Sequence, residues 1–176
     1  MPLFDNSYAP RGEKWGKEPF EDWYKRIHDQ YPQIPKCIMK QWLYENWGSP
    51  LYDFIELSDY TFTQVTWNTG ELLNVYSDMC KTLERCIGHG DVLCNGPQFE
   101  SGGNPLPGYM LAEKKFPVPI IINDNFDGHL HQYDEYLPPR YILMEGHCRF
   151  NIAMYLHHEG QFSPTVEIWL MKRRDR

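Results

Sequence analysis

The chain has 176 residues, a length that suits one domain with a modest N-terminal addition better than two full domains. It is 41% hydrophobic and 15% aromatic, with an ordinary 23% of charged residues, which provides for a packed core and excludes wholesale disorder. The net charge of -7 excludes a protein that grips nucleic acid through its overall field, so direct nucleic-acid binding is not expected.

Residues 1–18 are polar and rich in Gly and Pro, the composition of a loose arm. Pro19 and Glu21-Asp22 then mark a helix start, and Phe20, Trp23, Tyr24 and Ile27 recur at helical intervals. Pro32 and Pro35 close that helix and open a second, in which Ile38, Met39, Trp42, Leu43 and Trp47 share a face up to Gly48 and Pro50. Residues 1–50 thus read as an arm and a helical hairpin. Its aromatic stripe is core by the ordinary reading and a docking face for a protein partner by the other.

The period changes over 51–67, where β-branched and aromatic residues in short runs predict one or two strands. Thr69 reads as the cap of a helix through about Ile87, with Leu72, Leu73, Val75, Tyr76, Met79 and Leu83 on its apolar face. Residues 88–116 hold six of the thirteen Gly and three of the fourteen Pro and read as a long loop or lid. From Pro117 the pattern sharpens. Val118 and Ile120 to Ile122 form an apolar strand, Asn125-Phe126-Asp127-Gly128 a hairpin turn, and His129 to Tyr133 a returning strand. Tyr141 to Met144 is a buried-type strand broken by Gly146. A helix runs on through about His158 to a stop at Gly160, and Val166, Ile168, Trp169 and Leu170 make a last strand. The expected fold is α+β: a small mixed sheet with flanking helices over 51–176, preceded by the helical hairpin.

Five Cys at irregular spacing, none in a Cys-x-x-Cys pair, argue against a disulfide framework or a zinc site. With no apolar stretch of transmembrane length and no apolar signal segment, a soluble cytoplasmic protein is expected. Asp124, Asp127, His129 and His131 carry ligand-type side chains, but in no recognised metal spacing.

The chemistry concentrates in Glu145-Gly146-His147-Cys148-Arg149, at a strand–turn–helix junction. The first amides of a helix lack internal partners and its dipole favours an anion there. Gly146 permits close approach of a phosphate, Arg149 offers a planar fork of donors, and His147 is a donor or proton carrier near neutral pH. Glu145 is placed to hold a metal or to orient His147.

Glu-Gly-His-Cys-Arg-Phe resembles the Asp/Glu-Gly-His-His-Arg motif of ParB- and sulfiredoxin-like domains. The similarity extends over about 117–171 and more loosely over 51–87. The resemblance implies a nucleotide site in which Glu145, Gly146, His147, Cys148 and Arg149 hold ATP or CTP, with Mg²⁺ on Glu145. In sulfiredoxin the reactive Cys directly follows the Gly, where this chain has His147, with Cys148 one residue later, and that argues against sulfiredoxin chemistry. Among NTP-hydrolysing and phosphotransferring relatives the serine-kinase type is nearest in motif. Glu56 and Asp59 are then the candidate bases, beside His147. The alternatives are a non-catalytic nucleotide-sensing or protein-interaction module in a bacterial DNA-maintenance or defence complex, and a nuclease.

Overall fold

The computed structural model describes residues 6–12, 16–47, 55–97, 104–132 and 135–174. The chain forms two compact units, one of Met1–Phe62 with Gln132–Glu135 and Lys172–Arg176, the other of Thr63–His131 with Tyr136–Met171.

In the first unit, α1 (Phe20–Ile27) starts after Pro19, whose ring presets the backbone, with Glu21 and Asp22 in its first turn and Lys25 and Arg26 in its last. Pro35 does the same for α2 (Lys36–Ile38), which continues as a π-helical stretch, Met39–Tyr44. The expected helical pair is present. Trp23, Ile27, Ile38, Met39, Trp42 and Leu43 are all buried. Trp23 and Trp42 are thus core of this unit, as the ordinary reading of the aromatic stripe expects. The described part of the arm is not loose either. Arg26 donates to the carbonyls of Ser7 (2.9 Å) and Ala9 (2.7 Å) and pairs with Glu18 at 2.7 Å, and the Trp23 indole donates to the Tyr8 carbonyl at 2.7 Å. Buried N–H groups need acceptors, and here the arm's backbone provides them.

The second unit is built around a four-stranded sheet. In chain order come β1 (Tyr60–Asn68), α3 (Leu83–Asn95), α4 (Pro105–Glu113), β2 (Ile120–Asp124), β3 (His131–Gln132), β4 (Glu135–Tyr136), β5 (Tyr141–Glu145), α5 (His147–His158) and β6 (Thr165–Arg173). The sheet order is β1-β6-β2-β5, and β3 and β4 form a separate two-stranded pair. β2 is parallel to β6 (Ile120 opposite Ile168, Ile122 opposite Leu170) and antiparallel to β5 (Ile122 opposite Leu143, Asp124 opposite Tyr141). Thr61 bonds to Lys172 and Gln64 to Glu167, so β1 and β6 run in opposite directions. The α+β class with a mixed sheet and N-terminal helices is therefore as expected.

Three local expectations are corrected. Thr69–Asn74 is a 3-10 stretch in which the Thr69 hydroxyl bonds to the Ser163 carbonyl, and the helix starts at Thr82, whose side chain accepts from the Arg85 amide. Between them Tyr76 bridges Ile142 in parallel fashion, so the β-prone Val75-Tyr76 pair is drawn to a sheet edge rather than into a helix. The long loop at 88–116 is instead the second half of α3, then α4, with 98–103 outside the described residues. The glycines misled because Gly90 lies where α3 crosses α5. A Cβ there would run into the Asn151 carbonyl and lie 2.7 Å from the Tyr155 Cβ. Pro105 and Pro107 begin α4 behind an Asn104 cap, a position where Pro loses no hydrogen bond.

The third correction concerns the hairpin. β2 does not pair with the segment after the Asp-Gly turn; β3 pairs with β4. Asn125, fully buried, folds this loop on itself: its side chain accepts from the Leu130 amide (2.8 Å) and donates to the Pro138 carbonyl (3.0 Å). Ile120, Ile122, Leu143, Ile168 and Leu170 of the sheet pack with Cys86 and Cys94 of α3 and Phe150, Ala153 and Met154 of α5. Each such enclosed side chain contributes roughly 1.5–3 kcal/mol before conformational entropy is charged. No helix among the described residues is long and apolar enough to cross a membrane.

Candidate functional site

β5 delivers Glu145 to the sheet edge, and Gly146 turns the chain into α5 with φ +96° and ψ 30°. Only a residue without Cβ enters that conformation here. A Cβ would lie 2.5 Å from Ile120 Cγ2 and 3.1 Å from Arg149 Nη2. The Phe150 amide bonds to the Gly146 carbonyl at 2.8 Å, so the amides of His147, Cys148 and Arg149 are the first of the helix and have no intrahelical acceptor.

Arg149, 7% exposed, is turned back into this corner. Its Nη2 bonds to Glu145 Oε2 in an ion pair, and its Nη1 donates to the Val118 carbonyl at 3.1 Å. Burial raises the Glu145 carboxyl above its ordinary range, against the opposing pull of Arg149 and of the Gly146 amide. The structure therefore brings Glu145, Gly146 and Arg149 together, with an internal carboxylate lying where the resemblance places an anionic ligand. Val118, expected in the apolar strand, lies just ahead of β2 and meets Arg149 through its carbonyl, a group every residue has, so its side chain gives no signal of this contact.

His147 is the first residue of α5. Burial pushes its imidazole down to about 4, and neither ring nitrogen has a partner. Burial thus favours its neutral form. The sign of its linkage follows: a depressed folded-state value contributes stability above the ordinary 6.5 that is lost as pH falls towards about 4. The shift is worth on the order of 3 kcal/mol, and Glu145, shifted upward, works in the opposite sense within the carboxylate range. Urea melts of the wild type are expected to lose midpoint between about pH 7 and about pH 4, and those of His147→Gln to lose clearly less. Equal slopes for the two proteins would show that the ring is not held neutral by burial.

Cys148 is exposed. Glu56 and Asp59 belong to the first unit and the five motif residues to the second. Glu56 is engaged locally, accepting from the Ser58 hydroxyl at 2.7 Å to start a 3-10 turn, Leu57–Asp59, just before β1. Asp127 pairs with His129, and among the described residues no three His, Cys, Asp or Glu side chains form a metal-binding group. A hollow of about 510 Å³ is lined by Tyr109, Phe116, Pro117, Pro119, Ser163 and Thr165, among others. Pro117 and Pro119 flank Val118, the acceptor of Arg149, so this hollow and the Gly146 turn share one segment.

Compared with protein-family models, with curated proteins and with solved structures, the chain matches none. Any functional reading therefore rests on this turn and on the resemblance of its motif.

Proposed function

We propose that the chain is a nucleotide-binding module of the ParB/sulfiredoxin-like kind, whose Gly146 turn receives phosphate in exchange for the Glu145 carboxylate. The observation that carries this reading is the Glu145–Arg149 pair at the start of α5: the corner already holds an anion on a guanidinium beside unbonded helix amides. The order of an Ile-rich strand, a turn, a strand into the motif, a helix and a closing strand supports it. So does the neighbouring hollow, whose volume lies within the usual range for small-molecule pockets and whose Tyr109 and Phe116 offer ring faces to a base.

In the enzymatic form of the reading, hydrolysis of ATP or CTP or phosphotransfer from it, Glu145 released from Arg149 would hold Mg²⁺. The closed ion pair and the neutral His147 favour the binding-only form, a nucleotide sensor.

A thermal-shift series with ATP, ADP, CTP and GTP, with and without Mg²⁺, tests this on wild type and Glu145→Gln. Bound nucleotide raises Tm in proportion to the logarithm of its excess over Kd. Neutralising the competing carboxylate is expected to tighten binding about tenfold, equivalent to about 1.4 kcal/mol. Phosphate release from the same samples would establish the enzymatic form. If no nucleotide shifts either protein, the pair is a structural clip and the reading is wrong.

A further inference from the structure

We infer that a second anion site, shaped for a single phosphoryl group, lies in the cavity at the start of α3. This cavity, of about 110 Å³, is lined in part by Ser77, Lys81, Thr82, Leu83, Cys86 and Arg140. All belong to the second unit, and none is a residue of the Gly146 turn, so the inference does not depend on the function proposed above.

The thirteen-residue helix α3 points its first amides here. The Thr82 hydroxyl takes the Arg85 amide at 3.3 Å, and Cys86 N–H bonds to the Thr82 carbonyl at 3.2 Å. Leu83 and Glu84 keep the free N–H groups that every helix start presents, at the positive end of its dipole. A helix start alone would not make a site. The second observation is Ser77. It is 3% exposed, it lines this cavity, and its Oγ is buried without any partner. A buried hydroxyl left unpaired costs roughly 1–3 kcal/mol, and an oxyanion in the cavity would remove that cost.

Charge and geometry agree. The Lys81 amide bonds to the Ser77 carbonyl at 2.7 Å, closing a turn that sets the two residues side by side, with Lys81 at φ +63°. Arg140 is positioned by its backbone, donating to the Pro138 carbonyl at 2.8 Å and accepting from the Asn125 amide at 3.3 Å. Among the described residues neither the Lys81 nor the Arg140 side chain has an ion-pair partner, and none of those lining the cavity is a carboxylate. An ammonium, a guanidinium fork, a hydroxyl and two helix amides are more donors than the two oxygens of a carboxylate can use. They suit the three oxygens of a phosphoryl group. The volume admits such a group and leaves no room for a nucleoside, so anything esterified to it must project through the mouth, where Lys81 and Arg140 are exposed.

Titration calorimetry of the full chain with inorganic phosphate and with glycerol 3-phosphate, at constant ionic strength, tests the site. The expected result is saturable binding that weakens about tenfold or more in Lys81→Asn/Arg140→Gln, since two charge-assisted bonds are lost, with Asn tolerating the left-handed backbone at 81. Ser77→Ala is expected to fold at least as stably as the wild type, because it deletes an unpaired buried hydroxyl, and yet to bind phosphate more weakly. Tighter binding of the ester marks a phosphorylated small molecule as the ligand, and equal binding marks phosphate itself. No saturable heat with either probe, unchanged binding in the double variant, or a response that changes in Glu145→Gln and not in Lys81→Asn/Arg140→Gln would overturn the inference.

Discussion

Arg149→Met is expected to cost the folded chain about 3–5 kcal/mol in urea unfolding, the usual penalty for removing one partner of a buried ion pair. Met keeps much of the side-chain volume, so the loss is electrostatic rather than a cavity. Glu145, with its side chain 17% exposed and its carboxyl already pushed up by burial, would be left with only the Gly146 amide to offset its charge. Two features separate this cause from lost packing. Glu145→Gln/Arg149→Met should recover more than half of the loss, because no buried charge remains. The single variant should also regain stability as pH falls through the raised Glu145 range, where protonation removes the unpaired charge. A single variant within about 1 kcal/mol of wild type would show that water reaches the pair and screens it.

The second large effect is at Gly146. Gly146→Ala is expected to destabilise by about 3 kcal/mol, combining roughly 1–2 kcal/mol for a left-handed backbone with roughly 1–3 kcal/mol of overpacking. The overpacking has a named source: the new methyl would lie 2.5 Å from Ile120 Cγ2, on a strand flanked by partners on both sides, and 3.1 Å from the Arg149 guanidinium. Gly128 is the control. It also has a positive φ, of +66°, but a Cβ there would meet nothing within 4 Å, so Gly128→Ala should cost only the backbone share, about 1 kcal/mol. Similar losses at the two positions, read from urea midpoints, would show that the turn yields at Ile120 and that its shape is not held by packing.

These two residues also show how far the site could be read in advance. Gly146 stands after an apolar run and before a helical period, and both its break of the strand and its turn are visible locally. Arg149 was correctly placed in the first turn of a helix. Its direction was not visible, since the choice between an outside ligand and Glu145 depends on how β5, α5 and the 117–119 segment pack around it. The burial of His147 is likewise not legible locally: residue type gives the ordinary imidazole range, whereas enclosure pushes its value down.

The sequence by itself determined the elements whose signals are local and strong. Ile120 to Ile122 and Tyr141 to Met144 are continuous apolar runs because their strands are buried, α5 is bounded by Gly146 and Gly160, and Pro19 and Pro35 open the two N-terminal helices. Only the tertiary structure decided that Thr82 rather than Thr69 caps α3, that Gly90 is a helix crossing rather than a loop, and that β2 pairs with β5 and β6 instead of its nearest neighbour. Each of these depends on a partner remote in the chain: the Ser163 carbonyl that claims Thr69, the α5 backbone against Gly90, and β6 beside β2. Periodicity and caps report forces within a few residues, whereas pairing and burial are settled by contacts that exist only once distant segments have met.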